Sequence, residues 1–291
     1  MDTNTMTKKF LFWNINKKNC SDLIVKLVDE LSIDVIILAE LIQQNASNKG
    51  QGNAISLANL ISNLNIKTGK KFISRFNSGQ KIVLIDSLQN GQNVSSDEDK
   101  RLSSCKYRIN NEDILVVGVH LRDRYTHNVD DLFDLAGQHR EFIDSYNVDK
   151  VIAIGDFNMN PYEKGIMGAT GFNAIFSKEE ICYNPDRNFG IKKTPFYYNA
   201  SWDAYKLKSP QGTYYYENKD TSLNPYWNLL DQVLFSSAMM DTYIGDSFKI
   251  ITTISGNQLL RDKKSKTTKI TKKVINKKIS DHLPIVFEVD I

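Results

Sequence analysis

The chain has 291 residues, 41% of them hydrophobic and 24% charged, with a formal net charge of +3. This composition belongs to an ordinary globular protein; it excludes a disordered or collagenous chain, and no apolar run approaches the length needed to span a membrane. The charge is too mild to imply a nucleic-acid partner by itself, and three scattered cysteines (Cys20, Cys105, Cys182) argue against a disulfide framework and for a reducing, cytoplasmic compartment.

Met1 to Lys9 is polar and leads into an apolar run without a cleavage signal, so no secretory leader is expected. Phe10 to Asn14 reads as a short buried strand. Asp22 to Leu31 places Leu23, Ile24, Leu27, Val28 and Leu31 on one helical face, with Ser21 as N-cap. Asp34 to Glu40 is a continuous apolar run ending in a carboxylate, giving a βαβ-like start. Glu40 can be read as a charge favoured at a helix N-terminus or as a metal ligand at a strand end.

Ala54 to Leu64 is expected to be helical. Phe72 to Phe76 and Lys81 to Ile85 read as paired strands around Asn77-Ser78-Gly79, and Gln89 to Lys100 as a polar loop. Cys105 to Ile109 and Asp113 to His120 form a predicted hairpin ending at His120. Val129 to Ile143 follows as a helix capped by Asn128.

The centre of the chain is Val151-Ile152-Ala153-Ile154-Gly155-Asp156-Phe157-Asn158-Met159-Asn160-Pro161. It reads as a buried strand that stops abruptly, with a carboxylate and a carboxamide at its carboxyl end. A period of two puts Asp156 and Asn158 on one side. Such a pair suits phosphate-ester hydrolysis, although Gly-Asp-x-Asn also makes a good turn after any buried strand.

From Asn160 to Asn228, Tyr, Trp and Phe alternate with Lys, Asn and Gly, including Tyr214-Tyr215-Tyr216 and Tyr226-Trp227. These rings serve either to pack a long connection or to stack on bases and sugars. Leu229 to Phe235 is a strand with Asp231 in its apolar stretch; a buried carboxylate requires a partner, and a histidine is a good candidate. Arg261 to Lys278 carries nine Lys or Arg and one acid, a solvated loop or hairpin whose charge could hold a polyanion. Ser280-Asp281-His282-Leu283-Pro284 then enters a cleanly alternating last strand.

Six segments in this order carry a family resemblance: Trp13-Asn14-Ile15-Asn16, Leu38-Ala39-Glu40, Val119-His120-Leu121, Gly155-Asp156-Phe157-Asn158, Leu230-Asp231-Gln232-Val233 and Ser280-Asp281-His282-Leu283-Pro284. Over nearly the whole chain the pattern resembles the endonuclease/exonuclease/phosphatase superfamily, the fold of DNase I and exonuclease III-like enzymes. The resemblance implies one domain over residues 1–291, a four-layer α/β sandwich of two mixed sheets face to face with helices outside. It implies that Glu40, Asn14 and Asp281 coordinate Mg²⁺ or Mn²⁺, a donor set of hard oxygens. Asp156 and Asn158 would orient the attacking water and the phosphate. His282, held by Asp231, would act as base or as a cationic clamp, and His120 would touch a phosphate oxygen or protonate the leaving group.

Two departures bear on substrate. Enzymes that cut at abasic sites share a Tyr-x-Pro-Asn-Gly-like segment where this chain has His120-Leu121-Arg122-Asp123-Arg124. The usual Leu-Gln-Glu is here Leu-Ala-Glu40. His127 and His139 read as surface or packing residues, with His127 near the rim. Asn16, Arg122, Arg124, Tyr215 and Trp227 are the candidate substrate contacts, and together with Lys192 and Lys193 they favour a nucleic-acid strand, DNA or RNA. The alternatives are a phosphatase or phosphodiesterase acting on a small or lipid phosphate, and a non-catalytic binding module. No membrane-inserting stretch stands out, and protein partners are not indicated.

Overall fold

The computed structural model describes residues 6–48, 50–75, 81–94, 100–124, 126–206, 210–217, 224–265 and 267–291. The predicted turn at Asn77-Ser78-Gly79 and part of the 89–100 loop lie outside them.

Strands β1 (Thr7–Asn14), β2 (Val35–Ala39), β3 (Ile73–Ser74) and β4 (Ile82–Asp86) belong to a six-stranded sheet. Its order is Lys249–Ile250, Ile285–Asp290, β1, β2, β4, β3. β1 and β2 run parallel, joined by the predicted helical crossover α1 (Ser21–Leu31), while Ile285–Asp290 lies antiparallel to β1. A second, seven-stranded sheet has the order β5 (Gly91–Asn93), β6 (Leu102–Ile109), β7 (Glu112–His120), β8 (Lys150–Asp156), Asp231–Ser236, Tyr197–Asn199, Ala174–Ile175. Here β7 and β8 are parallel across helix α3 (Val129–Asp144), and Asp231–Ser236 is antiparallel to β8.

The sheets pack face to face. Phe10, Phe12, Val35 and Ile37 of the first meet Val116, Ile152, Ile154 and Phe235 of the second in one buried cluster. The intervening residues turn outward: Leu11, Trp13 and Leu38 toward α1 and α2 (Leu57–Thr68), Val117, Val119 and Ala153 toward α3. Both faces of the central strands are covered, so these strands read as unbroken apolar runs rather than as alternations. The expected four-layer α/β sandwich is the observed one. Among the described residues no helix is long and apolar enough to cross a membrane.

Local corrections are few. Ser21 is the first residue of α1 rather than its cap; its N–H and hydroxyl bind Asn19 Oδ1. The second helix starts three residues later than predicted, because Ser56 caps it by accepting from the Asn59 N–H. Asn128 caps α3 as expected, in a reciprocal box with Asp131. The 261–278 run is the hairpin Leu260–Lys264/Thr271–Ile275. His139 is buried in α3, a packing position, and His127 contacts Thr126 and the Asp123 carbonyl.

Candidate active site

The strand ends of both sheets meet at one edge of the sandwich. Asn14 ends β1, Glu40 follows β2, His120 ends β7 and Asp156 ends β8. Asp231 opens the neighbouring antiparallel strand, and cross-strand pairing sets both His120 and Asp231 beside Asp156. Gly155 permits this convergence: a Cβ there would lie 1.9 Å from the Val119 carbonyl oxygen of β7. Asp281 and His282 arrive from the far end of the chain, placed by the Ser280 hydroxyl on the Asn14 carbonyl and by the Trp13 indole N–H on the His282 carbonyl.

His282 Nδ1 is 2.8 Å from Asp231 Oδ2 and its Nε2 is 3.8 Å from Asp156 Oδ2. Burial alone would lower the His282 pKa, but the charges of Asp231 and Asp156 and the hydrogen bond to Asp231 together raise it to about 10. Asp156 is held above the usual carboxylate range by burial and by Asp231, against the opposing pull of His282, His120 and the Asn158 N–H. His120 Nε2 stands 3.5 Å from Glu40 Oε1. That contact is the largest reason why the Glu40 pKa falls to about 2, aided by Asn14 and His282 and opposed by burial. Glu40 itself sits at φ +55, a left-handed position that turns the chain out of β2.

Asn14 bridges the two acids. Its Nδ2 donates to Glu40 Oε1 (3.3 Å) and Asp156 Oδ2 (3.1 Å), while its Oδ1 accepts the Asn16 N–H. The amide is turned with its nitrogen toward the carboxylates and its oxygen toward the Asn16 N–H. Asn158 reaches the site by a turn rather than by strand alternation, since β8 ends at Asp156 and Asn158 lies at φ +52. Its N–H binds Asp156 Oδ1 and its Nδ2 binds the Leu121 carbonyl.

These groups surround a cavity of about 500 Å³ whose walls include Glu40, His120, Asp156, Asn158, Asp281 and His282. Lys17, Lys81, Arg101, Tyr214, Tyr216, Asn224 and Asn228 also line it. Sequence reasoning singled out Tyr214 and Tyr216 within the aromatic run but missed Lys17, Lys81, Arg101, Asn224 and Asn228, each at or close to a strand end. The expected substrate contacts fare unevenly. Arg124 lines the cavity, whereas Asn16, Arg122, Tyr215 and Trp227 do not. In the hairpin Tyr214–Tyr216/Tyr226–Asn228, Tyr214 and Tyr216 face the cavity, and the period of two turns Tyr215 into the core against Trp227, where its hydroxyl binds Lys272. The Tyr214 ring lies 4.9 Å from that of His282. Lys192 and Lys193 lie in a separate hairpin away from the cavity wall, Lys193 paired with Asp186.

An endonuclease/exonuclease/phosphatase family protein from Leptotrichia buccalis C-1013-b superposes with TM-score 0.56 at 15% identity, over 98% of this chain and 100% of that one. The chain has the endonuclease/exonuclease/phosphatase fold. An AP endonuclease from Archaeoglobus fulgidus shares this fold with TM-score 0.53 and 14% identity over 96% of this chain and 98% of that one. TDP2 from D. rerio, complexed with single strand DNA product, shares it with TM-score 0.50 and 12% identity over 98% and 99%. No family model and no curated protein matches the sequence. Within the endonuclease/exonuclease/phosphatase fold, the site occupies the edge where the six sequence segments converge.

Proposed function

We propose that this chain is a divalent-metal-dependent phosphodiesterase that hydrolyses a nucleic-acid strand, with residues 1–291 forming one catalytic domain. The observation that carries the reading is the acid–histidine array at the cavity: Glu40 with His120, and His282 beside Asp156 with the buried Asp231 bonded to its ring.

Glu40 and Asp281 fit a hard cation. Glu40 is kept ionised, and Asp281 Oδ1 is buried with no hydrogen-bond partner among the described residues, an acceptor that a cation would satisfy. Bound there, Mg²⁺ or Mn²⁺ would supply positive charge to the phosphate. Asp156, Asp231 and His282 also cluster closely enough to hold an ion. In the structure the His282 Nδ1 is already committed to Asp231 Oδ2 at 2.8 Å, which supports reading the three as an acid–histidine pair beside Asp156.

In this reading His282, oriented by Asp231, holds a proton at Nε2 and clamps a phosphate oxygen. Asp156, with its carboxyl poised by burial, orients the attacking water. Asn158 retains a second amide hydrogen for the phosphate, and His120 delivers a proton toward the leaving oxygen. Tyr214 and Tyr216 offer rings to bases, while Lys17, Lys81 and Arg101 offer charge to flanking phosphates, which supports a strand over a small ester. The three free cysteines fit a reducing, cytoplasmic compartment.

The deciding assay offers labelled single-stranded DNA, duplex DNA, RNA and a panel of phosphomonoesters to the purified protein with Mg²⁺ or Mn²⁺, with EDTA as control. Metal-dependent cleavage of a strand is expected. Turnover of phosphomonoesters alone would overturn the strand assignment, and full activity in EDTA would overturn the metal.

A further inference from the structure

The rim of the cavity holds a polar network that the roles above do not use. Arg124 Nε donates to the Asn158 carbonyl (3.1 Å), and its Nη2 donates to Glu163 Oε1 (2.5 Å). The same Glu163 oxygen accepts the Asn160 N–H and the Asn160 Nδ2, each at 2.9 Å. Asn160 Nδ2 also reaches Asn228 Oδ1, and Asn160 Oδ1 accepts the Leu229 N–H, both at 2.9 Å. Asn228 then holds the carbonyls of Asn224 and Tyr226. Asn160 and Asn228 are almost completely buried.

One carboxylate oxygen thus ties together the loops after β7 and β8, and through Asn160 it fixes the approach to the strand carrying Asp231. Its target is specific. Asn158 stands at φ +52, a conformation that a non-glycine residue keeps only when its surroundings enforce it. The Arg124 guanidinium on the Asn158 carbonyl is one such restraint. Arg124 in turn is aimed by Glu163, because a planar guanidinium with two neighbouring donors committed cannot rotate.

We propose that Glu163 is a positioning residue of this site, acting through Arg124 to hold Asn158 and through Asn160 to set Asn228, which also lines the cavity. Arg124 accordingly belongs to the scaffold of the site more than to a phosphate-gripping surface. The inference rests on the phosphodiesterase reading for its effect on turnover, though not for its structural content.

The test compares Glu163→Ala, Glu163→Gln, Arg124→Lys and Asn158→Ala in the full chain, with melting temperatures to confirm folding. Asn158 is followed by its amide resonances in ¹H–¹⁵N spectra. Glu163→Ala is expected to lower kcat about tenfold to a hundredfold with KM within about threefold, as for a displaced group near the chemistry. Glu163→Gln should restore part of the loss, and Arg124→Lys should not, since an ammonium on a flexible stem lacks the fixed planar fork that holds both partners in one geometry. In the Asn158→Ala background, Glu163→Ala should add little further loss of kcat. Asn158 amide resonances that move in Glu163→Ala support the assignment. Unmoved resonances, or losses that multiply in the double variant, overturn it. A wild type that hydrolyses no phosphate ester removes the phosphodiesterase reading instead, and the Asn158 resonances still decide the positioning role.

Discussion

His282 Nδ1 lies 2.8 Å from Asp231 Oδ2, although 51 residues separate them in the chain. The pair is buried, and Asp231 is the group that keeps the imidazole in one orientation and protonated. Asp231→Asn preserves shape but removes the charge that holds the proton. It should lower kcat by about three to four orders of magnitude, the scale seen when a histidine loses its orienting carboxylate. His282→Ala should cost a comparable amount and the double variant little more, because the two act as a unit. Single-turnover rates on one oligonucleotide check this; multiplying losses would reduce Asp231 to a structural carboxylate.

The same pair makes a prediction about stability. The folded His282 pKa is raised to about 10 from an ordinary 6.5, so its contribution is full below about pH 6.5 and is lost as pH rises through about 10. Urea midpoints of wild type should fall between pH 7 and 10, and those of His282→Ala should fall less. Parallel curves for the two proteins would count against a protonated buried His282.

Glu40 behaves in the opposite sense. Its folded pKa is lowered to about 2 from an ordinary 4.5, so its stabilisation is present above about pH 4.5 and is lost as pH falls through about 2. In metal-free protein, Glu40→Gln should therefore flatten the acid limb of the stability profile. At neutral pH the same variant, and Asp281→Asn, should abolish the heat of Mg²⁺ binding in titration calorimetry. Unaltered Mg²⁺ binding in both would remove these carboxylates from the metal site.

The tyrosine triplet separates stacking from packing. Tyr214→Ala and Tyr216→Ala should each weaken oligonucleotide binding by about 1–3 kcal/mol, the usual value of a base on an aromatic ring. Tyr215→Phe should leave binding in place and cost about 1 kcal/mol of stability through the lost bond to Lys272. Fluorescence anisotropy and urea melts read the two effects; a reversed pattern would mean that Tyr215, not its neighbours, meets the substrate.

Salt dependence tests the cations at the cavity. Lys17 is exposed on its wall, and the Lys277 ammonium stands 5.9 Å from the centre of the Tyr214 ring, which lines it. Each phosphate contact on a single strand contributes about 0.7 to the log–log salt slope, so Lys17→Ala with Lys277→Ala should flatten it by about 1.4. An unchanged slope would show that the strand is held elsewhere.

Much of this site was legible along the chain, because strand ends announce themselves. Asn14, Glu40, His120 and Asp156 each terminate an apolar run, and backbone pairing carries such ends to one edge of a sheet. Asp231 could be singled out for the same elementary reason: a carboxylate in an apolar strand needs a partner. The four layers were implied by the family resemblance that the six segments carry, and the unbroken apolar runs of the central strands agree with them. Tertiary structure alone decided the rest. Local sequence gives the period of Tyr214-Tyr215-Tyr216 but not its phase, which depends on the core packing that takes Tyr215 inward. Nor does it say that Arg124 is committed to Glu163 and Asn158, since a guanidinium's role is set by what stands within hydrogen-bonding reach and those partners lie 39 and 34 residues away. The orientation of the Asn14 amide was settled in the same way, by Glu40, Asp156 and the Asn16 N–H around it. Propensity and pattern are local properties and place a residue on an element; hydrogen bonds between elements depend on how the sheets pack, and they decide what that residue does.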